Sequence, residues 1–218
     1  MNYKQEKDFI IHSYSLNYLD SVQVYSKRFF DLLLCVLFLL TVGWWIFIII
    51  SICIVVDSRG PVIFRQLRHG RNNRPFYCYK FRTMKFDPTT KFYQAQRNDP
   101  RITRVGYYLR ATSMDELPQI FNILLGEMSI VGPRPHAIPM NRVYSEKIPW
   151  FMCRHVVKPG ITGLAQAKGF RGEIRTQRDI NCRLTYDLFY IKNWSLLFDF
   201  RIILMTIKCL LFNNKNAY

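Results

Sequence analysis

Acidic side chains are scarce in this chain. Its 218 residues carry 15 Asp and Glu against 31 Lys and Arg, a formal net charge of +16. An imbalance of that size predicts a polyanionic partner, whether nucleic acid, an anionic membrane surface or phosphorylated substrates. The cysteine patterns of a metal site or a disulfide framework are missing too. Cys35, Cys53, Cys78, Cys153, Cys182 and Cys209 include no C-x-x-C pair, and two of them lie in an apolar run. They are read as reduced thiols in a cytosolic or membrane setting. No histidine pair has the H-E-x-x-H spacing, so His69, His136 and His155 are read as structural or phosphate-facing. Residues 1–26 lack the layout of a signal peptide and read as a cytosolic lead-in. No internal repeat, low-complexity segment or flexible linker interrupts the chain. Half of the residues are hydrophobic and 16% aromatic, which excludes a disordered basic tail.

What is present begins with a long apolar run. Lys27-Arg28 opens it, and from Leu32 to Val56 there is no charged residue. A helix rising about 1.5 Å per residue over that length is long enough for a hydrocarbon core of about 30 Å. Basic residues flank both ends, Lys27 and Arg28 before it and Arg59, Arg65, Arg68, Arg71 and Arg74 after it. The positive-inside rule then wants both ends in the cytoplasm, which a helix that enters and turns back satisfies. Thr41-Val42-Gly43 is the expected bend. Trp44-Trp45 also favours an interfacial depth over a straight passage.

Asp57 to Pro61 breaks the helix. Val62-Ile63-Phe64 and Phe76 to Tyr79 read as short strands joined by a basic turn, Arg68 to Arg74. Lys and Arg interleaved with aromatics from Arg59 to Arg110 would suit a nucleic-acid platform; beside an apolar helix they suit lipid headgroups and phosphates. Ile120 to Leu125 reads as a helix stopped by Gly126. Gly132-Pro133-Arg134-Pro135 fixes the backbone around one arginine. Arg171-Gly172-Glu173 lies in a polar loop, a helical aromatic pattern resumes from Asp187 to Trp194, and Trp194 to Phe212 reads as an amphipathic helix in a membrane interface.

The centre of interest is Thr112 to Gln119, with the adjacent carboxylates Asp115 and Glu116 set among arginines. Such a pair suits a metal and a phosphate. Ser113-x-x-Glu116 is also the spacing of a helix capping box, a purely structural use of the same residues.

Several blocks in order resemble one family: Lys27-Arg28-Phe29-Phe30-Asp31, Gly60 to Gln66, Tyr79 to Met84, Asp99 to Thr103, Thr112 to Gln119, Val131 to Pro135, Lys158 to Gly163 and Tyr190 to Ser195. Together they resemble the bacterial sugar transferases, the monotopic phosphoglycosyl transferases, from about Lys27 to Lys208. The subgroup they look most like is the undecaprenyl-phosphate glucose phosphotransferases of colanic-acid type. The resemblance implies an α+β membrane-associated fold: one N-terminal re-entrant helix, a mainly helical cytoplasmic catalytic domain with a small β-hairpin, and interfacial amphipathic helices. The expected divisions are 1–26 lead-in, 27–57 membrane helix, 58–212 catalytic domain and 213–218 polar tail. It implies Asp115 as nucleophile toward the β-phosphorus of a UDP-sugar, Glu116 as a Mg²⁺ ligand, and Lys80, Arg82, Arg110, Arg134, Arg171 and Glu173 as phosphate- or substrate-binding residues. A carboxylate needs no general base at neutral pH, and the basic surroundings are expected to keep Asp115 ionised. The implied partners are a UDP-sugar, undecaprenyl phosphate, inner-membrane lipid and, as an option, a second copy in a homodimer, with no nucleic acid. The implied place is the cytoplasmic face of a bacterial inner membrane. Glucose is the expected sugar, with galactose or an N-acetylated sugar the alternatives; a membrane-anchored basic binding module is the competing non-enzyme reading. The sequence departs from the family's pattern in lacking a Ser-Pro break in the apolar helix and in carrying Leu164 where Trp is common. The multi-span N-terminal region of the larger glucose-type members has no counterpart in it, as expected of either a compact member or a truncated gene product.

Overall fold

The computed structural model describes residues 21–86, 99–172, 174 and 176–212. It opens with helix α1 (Ser21–Phe38), a five-residue π-helical turn (Leu39–Gly43) and helix α2 (Trp44–Asp57). The helix is under way by Ser21, ahead of the boundary expected at Lys27. Its irregular turn falls where Thr41-Val42-Gly43 led us to expect a bend. Thr41 Oγ1 donates back to the Leu37 carbonyl at 2.8 Å. Among the described residues, Gln23–Asp57 is the one helix long and apolar enough to cross a membrane.

Both halves of that helix bury a stripe on the same body. Cys35 packs with Phe76, Cys78, Ile120, Ile123 and Met128, and Ile50 and Ile54 pack with Phe81 and Leu109. The ring of Phe47 lies 5.2 Å from Phe81 and 5.5 Å from Phe121. The other side is bare and apolar, with Leu37, Leu40, Trp44, Ile48, Ile52 and Val56 exposed. Each end is fastened as well. Arg28 donates to the Ile123 and Leu124 carbonyls, and Asp31 accepts from the Ile130 N–H at 3.1 Å. At the far end Asp57 accepts from the Val105 N–H at 3.0 Å.

Strands β1 (Ile63–His69) and β2 (Pro75–Phe81) form an antiparallel hairpin with Ile63 opposite Phe81 and His69 opposite Pro75. Each is longer than its apolar segment because the ladder carries Arg65 and Arg68 along in β1 and Lys80 in β2. The turn places Asn72 and Asn73 at positive φ, 54° and 60°, a region asparagine tolerates. Helices α3 (Arg104–Thr112) and α4 (Gln119–Leu124) follow, and Gly126, at φ +83°, ends the second as expected.

Strand β3 (Ser129–Val131) pairs in parallel with β4 (Gly160–Thr162). The backbones cross so closely beyond β3 that a Cβ on Gly160 would lie 2.1 Å from the Gly132 nitrogen. Helix α5 (Ile138–Lys147) and a 3₁₀ segment (Phe151–Val156) connect them; α6 (Leu164–Ala167), α7 (Gln177–Lys192) and α8 (Leu196–Phe212) complete the chain. Helix α7 starts ten residues before the Asp187 that the apolar pattern suggested. Its first half is polar outside, and its start is set by a capping box: Thr176 Oγ1 accepts from the Asp179 N–H while the Asp179 carboxylate accepts from the Thr176 N–H. Val131, Val157, Leu164, Tyr190, Ile191 and Ile202 make the core between β3, α6, α7 and α8. Leu164 is therefore a core residue.

Candidate active site

Ser113 sits at φ 60° and closes α3; its side chain makes no capping bond. The capping-box reading of Ser113-x-x-Glu116 therefore fails. The left-handed residue turns the chain sharply into a 3₁₀ turn, Met114–Glu116, and Pro118 then leads into α4. This kink delivers Asp115 and Glu116 side by side into the space between β2 and the loop after β3.

Three of the expected cations meet them there. Lys80, on β2, donates to Glu116 Oε1 at 2.6 Å and stands 3.7 Å from Asp115 Oδ2. Arg134 grips Glu116 with both terminal nitrogens, Nη1 to Oε2 at 2.9 Å and Nη2 to Oε1 at 2.5 Å. Fork-on-fork pairing of this kind fixes direction as well as charge. Arg110 donates Nε to Thr83 Oγ1 at 2.8 Å and lies near enough to act on Asp115. Arg171 is within electrostatic reach of Arg134, Glu116 and Asp115.

Arg82 goes elsewhere. Its Nη1 and Nη2 donate to the carbonyls of Arg59 and Ser58, so its charge serves the C-terminal end of α2, where a cation complements the helix dipole. Glu173 lies outside the described residues.

The two carboxylates are driven apart. Burial would raise the Glu116 carboxyl, but Arg134 and then Lys80 outweigh it and hold it well below the usual range. For Asp115 burial prevails, aided by the neighbouring Glu116 charge, and lifts it above its ordinary value against Lys80, Arg110 and Arg134. The surrounding cations pull against this rise without reversing it. The shifts of the two adjacent acids are thus opposed: Glu116 is held as a charge, and Asp115 is the more basic and less encumbered of the two.

Among the described residues no group of three or more His, Cys, Asp or Glu forms a protein-only metal cage. Mg²⁺ does not need one, since it takes one or two carboxylates and completes its shell with phosphate oxygens and water. The donor set fits on that basis: Glu116 Oε2 accepts a single bond and retains a lone pair, and Asp115 adjoins it.

Sequence reasoning missed several supporting residues. Asn122 is fully buried; its side chain accepts from the Tyr79 N–H at 3.0 Å and donates to the Tyr77 carbonyl at 2.7 Å, pinning the edge of β2 beside Lys80. A lone amide inside the apolar Ile120–Leu125 stretch was a legible signal. Arg154 and Asp187 form a buried pair at 2.7 Å behind Arg134, and nothing local in sequence announces them.

A family described as bacterial sugar transferase matches residues 22–213. The chain belongs to the bacterial sugar transferase family. This sugar transferase is 46% identical over 201 residues to the UDP-glucose:undecaprenyl-phosphate glucose-1-phosphate transferase of Klebsiella pneumoniae, covering 92% of this chain and 43% of that protein. It is 49% identical over 201 residues to the protein of the same name from Xanthomonas campestris pv. campestris, covering 91% of this chain and 41% of the relative. It is 43% identical over 186 residues to the exopolysaccharide production protein PSS of Rhizobium leguminosarum bv. phaseoli, covering 83% and 92% respectively. The sugar transferase thus spans about two-fifths of the length of the first two relatives.

Proposed function

We propose that this chain transfers glucose 1-phosphate from UDP-glucose to undecaprenyl phosphate, releasing UMP, at the cytoplasmic face of a bacterial inner membrane, as the first membrane step of a surface polysaccharide. One observation carries the reading: Asp115 stands beside a glutamate whose charge is already taken by Arg134 and Lys80. A nucleophile held only loosely, by Lys80 at 3.7 Å, next to a glutamate gripped by Arg134 and Lys80, with arginines around it, suits attack on a diphosphate.

In the first step an Asp115 carboxylate oxygen forms a bond to the β-phosphorus, and the bond from that phosphorus to the bridging oxygen breaks. UMP leaves with the electron pair, and the sugar phosphate remains on Asp115 as an acyl phosphate. In the second step an oxygen of undecaprenyl phosphate bonds to the same phosphorus and the carboxylate departs. Asp115 needs no base for either step. Arg134, Arg110 and Lys80 offset the phosphate charge that would otherwise repel a carboxylate. Mg²⁺, held by Glu116 and the diphosphate, would add further charge neutralisation.

The same reading covers the apolar helix. Its two ends are tied to one polar body, Lys27 to Val131 and Asp199, and Asp57 to Val105. A straight crossing would put about 30 Å of hydrocarbon between them, so the helix enters and leaves by the same face.

UMP release from a panel of UDP-sugars, with undecaprenyl phosphate and Mg²⁺, tests the reaction. Turnover is expected with UDP-glucose and not with Asp115→Asn. Full turnover by the variant would refute the covalent route. Turnover with only a galactose or N-acetylated donor would change the substrate and keep the chemistry.

A further inference from the structure

The loop that carries Arg134 is held at three consecutive carbonyls. Pro133 accepts from the Gly160 N–H at 3.1 Å, Arg134 from Arg154 Nη2 at 2.7 Å, and Pro135 from Arg68 Nη1 at 2.5 Å. Two prolines already fix φ on either side of Arg134. The backbone beneath its side chain is thereby given one direction, the direction in which both terminal nitrogens reach Glu116.

Arg154 is the unusual member of this set. It is 2% exposed, as is Asp187, its partner at 2.7 Å. Its Nη1 lies 2.8 Å from His136 Nδ1. Arginine only donates, so Nδ1 accepts and the imidazole is neutral; burial first, then the Arg154 charge, lowers that histidine well below its ordinary value. Withdrawing an ion pair from water is costly, and a well-packed apolar pair would often serve stability as well. What an apolar pair cannot do is donate to the carbonyl of Arg134.

Asp187 lies on α7, and one turn earlier on the same face stands Arg183, whose Nη2 donates to the Gly172 carbonyl at 2.6 Å. Gly172 follows Arg171. Residues i and i+4 of one helix therefore act on the two loops that bring Arg134 and Arg171 toward the carboxylates, Asp187 through Arg154 and Arg183 directly.

We propose that Arg154, braced by Asp187, is a positioning residue that aims Arg134 by holding its carbonyl, and that Arg183 braces the Arg171 loop from the same face of α7. The proposal rests on the phosphoryl-transfer reading above and adds who sets the clamp. Small displacements of a charge-stabilising group lower turnover steeply, by as much as about 100-fold for about 1 Å.

A double-mutant cycle tests it, with the full chain purified in detergent and kcat/KM for UMP release as the readout. Asp187→Asn keeps the shape of the site and removes the charge that braces Arg154. It is expected to lower kcat/KM by about tenfold or more, yet by less than about twofold when Arg134 is already Lys, because the two act through one group. A merely structural Asp187 would give the same factor in both backgrounds, and that additivity would overturn the proposal, as would wild-type kcat/KM in Asp187→Asn. If Asp187→Asn does not yield a folded protein, Arg154→Lys enters the same cycle with the same expectations. Absence of UMP release by the wild-type chain with every donor would overturn both readings at once, whereas additive losses in an active enzyme overturn the positioning role alone.

Discussion

Lys27 and Asp199, 172 residues apart, meet at 2.5 Å with 7% and 2% of their side chains exposed. Around them Tyr190 Oη, with one proton to donate, lies 2.8 Å from the other Asp199 oxygen and 3.1 Å from the Val131 carbonyl, Trp194 donates to Asp199 at 3.1 Å, and Lys27 donates to the Val131 carbonyl at 3.1 Å. The pair joins the start of the apolar helix to the last helix and to the root of the Arg134 loop.

Removing one partner of this pair should be costly. Lys27→Met leaves a buried carboxylate, for which about 3–5 kcal/mol is expected, or roughly 10 °C in the unfolding midpoint of a chain this size. Lys27→Met with Asp199→Asn should recover part of the loss. Thermal unfolding in detergent measures both, and an unchanged midpoint for the single variant would contradict the assignment.

Asn122→Leu should loosen β2 beside the site. It leaves the Tyr79 N–H and the Tyr77 carbonyl unpaired, costing about 2–3 kcal/mol, and it frees the strand next to Lys80. Lower stability is expected together with a fall in kcat. A variant that unfolds more easily but turns over at the wild-type rate would separate Asn122 from Lys80.

Gly106→Ala meets a wall. The new Cβ would lie 2.1 Å from the Thr83 carbonyl oxygen, so α3 must move. The Thr103 N–H bond to Thr83 at 3.1 Å and the Arg110 bond to the Thr83 hydroxyl at 2.8 Å are then lost. About 1–3 kcal/mol of destabilisation is expected, with reduced UMP release; normal behaviour in both assays would mean that α3 does not seat against Thr83.

The hairpin, α4 with its glycine stop, the bend region of the apolar helix and the cluster of Lys80, Arg134, Asp115 and Glu116 were legible because each rests on local pattern or on a motif read in order. Arg82, two residues after Lys80, was misplaced: β2 ends at Phe81, and beyond the strand the Arg82 side chain turns to the Ser58 and Arg59 carbonyls at the α2 terminus. The first half of α7 escaped notice because its exposed face is polar and its capping box is the main local sign of a start. Arg154 and Asp187 escaped because their pairing depends on bringing residues 154 and 187 together, which no local pattern encodes. The opposed shifts of Asp115 and Glu116 likewise depend on how many contacts each makes after folding.

Asp187 should give stability a pH dependence of its own. Burial, against the pull of Arg154 and Arg183, pushes it up to about 6, above an unfolded value of about 3.9. The native state therefore holds the extra proton between those values; this contribution is complete below about pH 4 and is lost as pH rises through about 6. Across that window the wild type should lose stability relative to Asp187→Asn as pH increases. Parallel midpoint curves from pH 4 to 7 would exclude the shift.

Cysteines placed at the exposed positions Tyr25 and Arg59 report topology. An impermeant maleimide added to intact cells should label neither and should label both after lysis. Labelling of one site alone from outside would mean that the helix crosses.

The π turn at Leu39–Gly43 solves a problem of phase. Asp31 and Ile54 both face the body, but across 23 residues at about 100° each they would stand about 140° apart on an uninterrupted α-helix. A π turn accommodates one residue beyond the regular count, which removes about 100° and brings the two stripes back within about 40° of each other. A chain one residue shorter here would therefore keep both halves in register as a plain helix. Such a deletion should be tolerated by the body and felt only at the apex, where Gly43 and Thr41 would have no irregular turn left to serve.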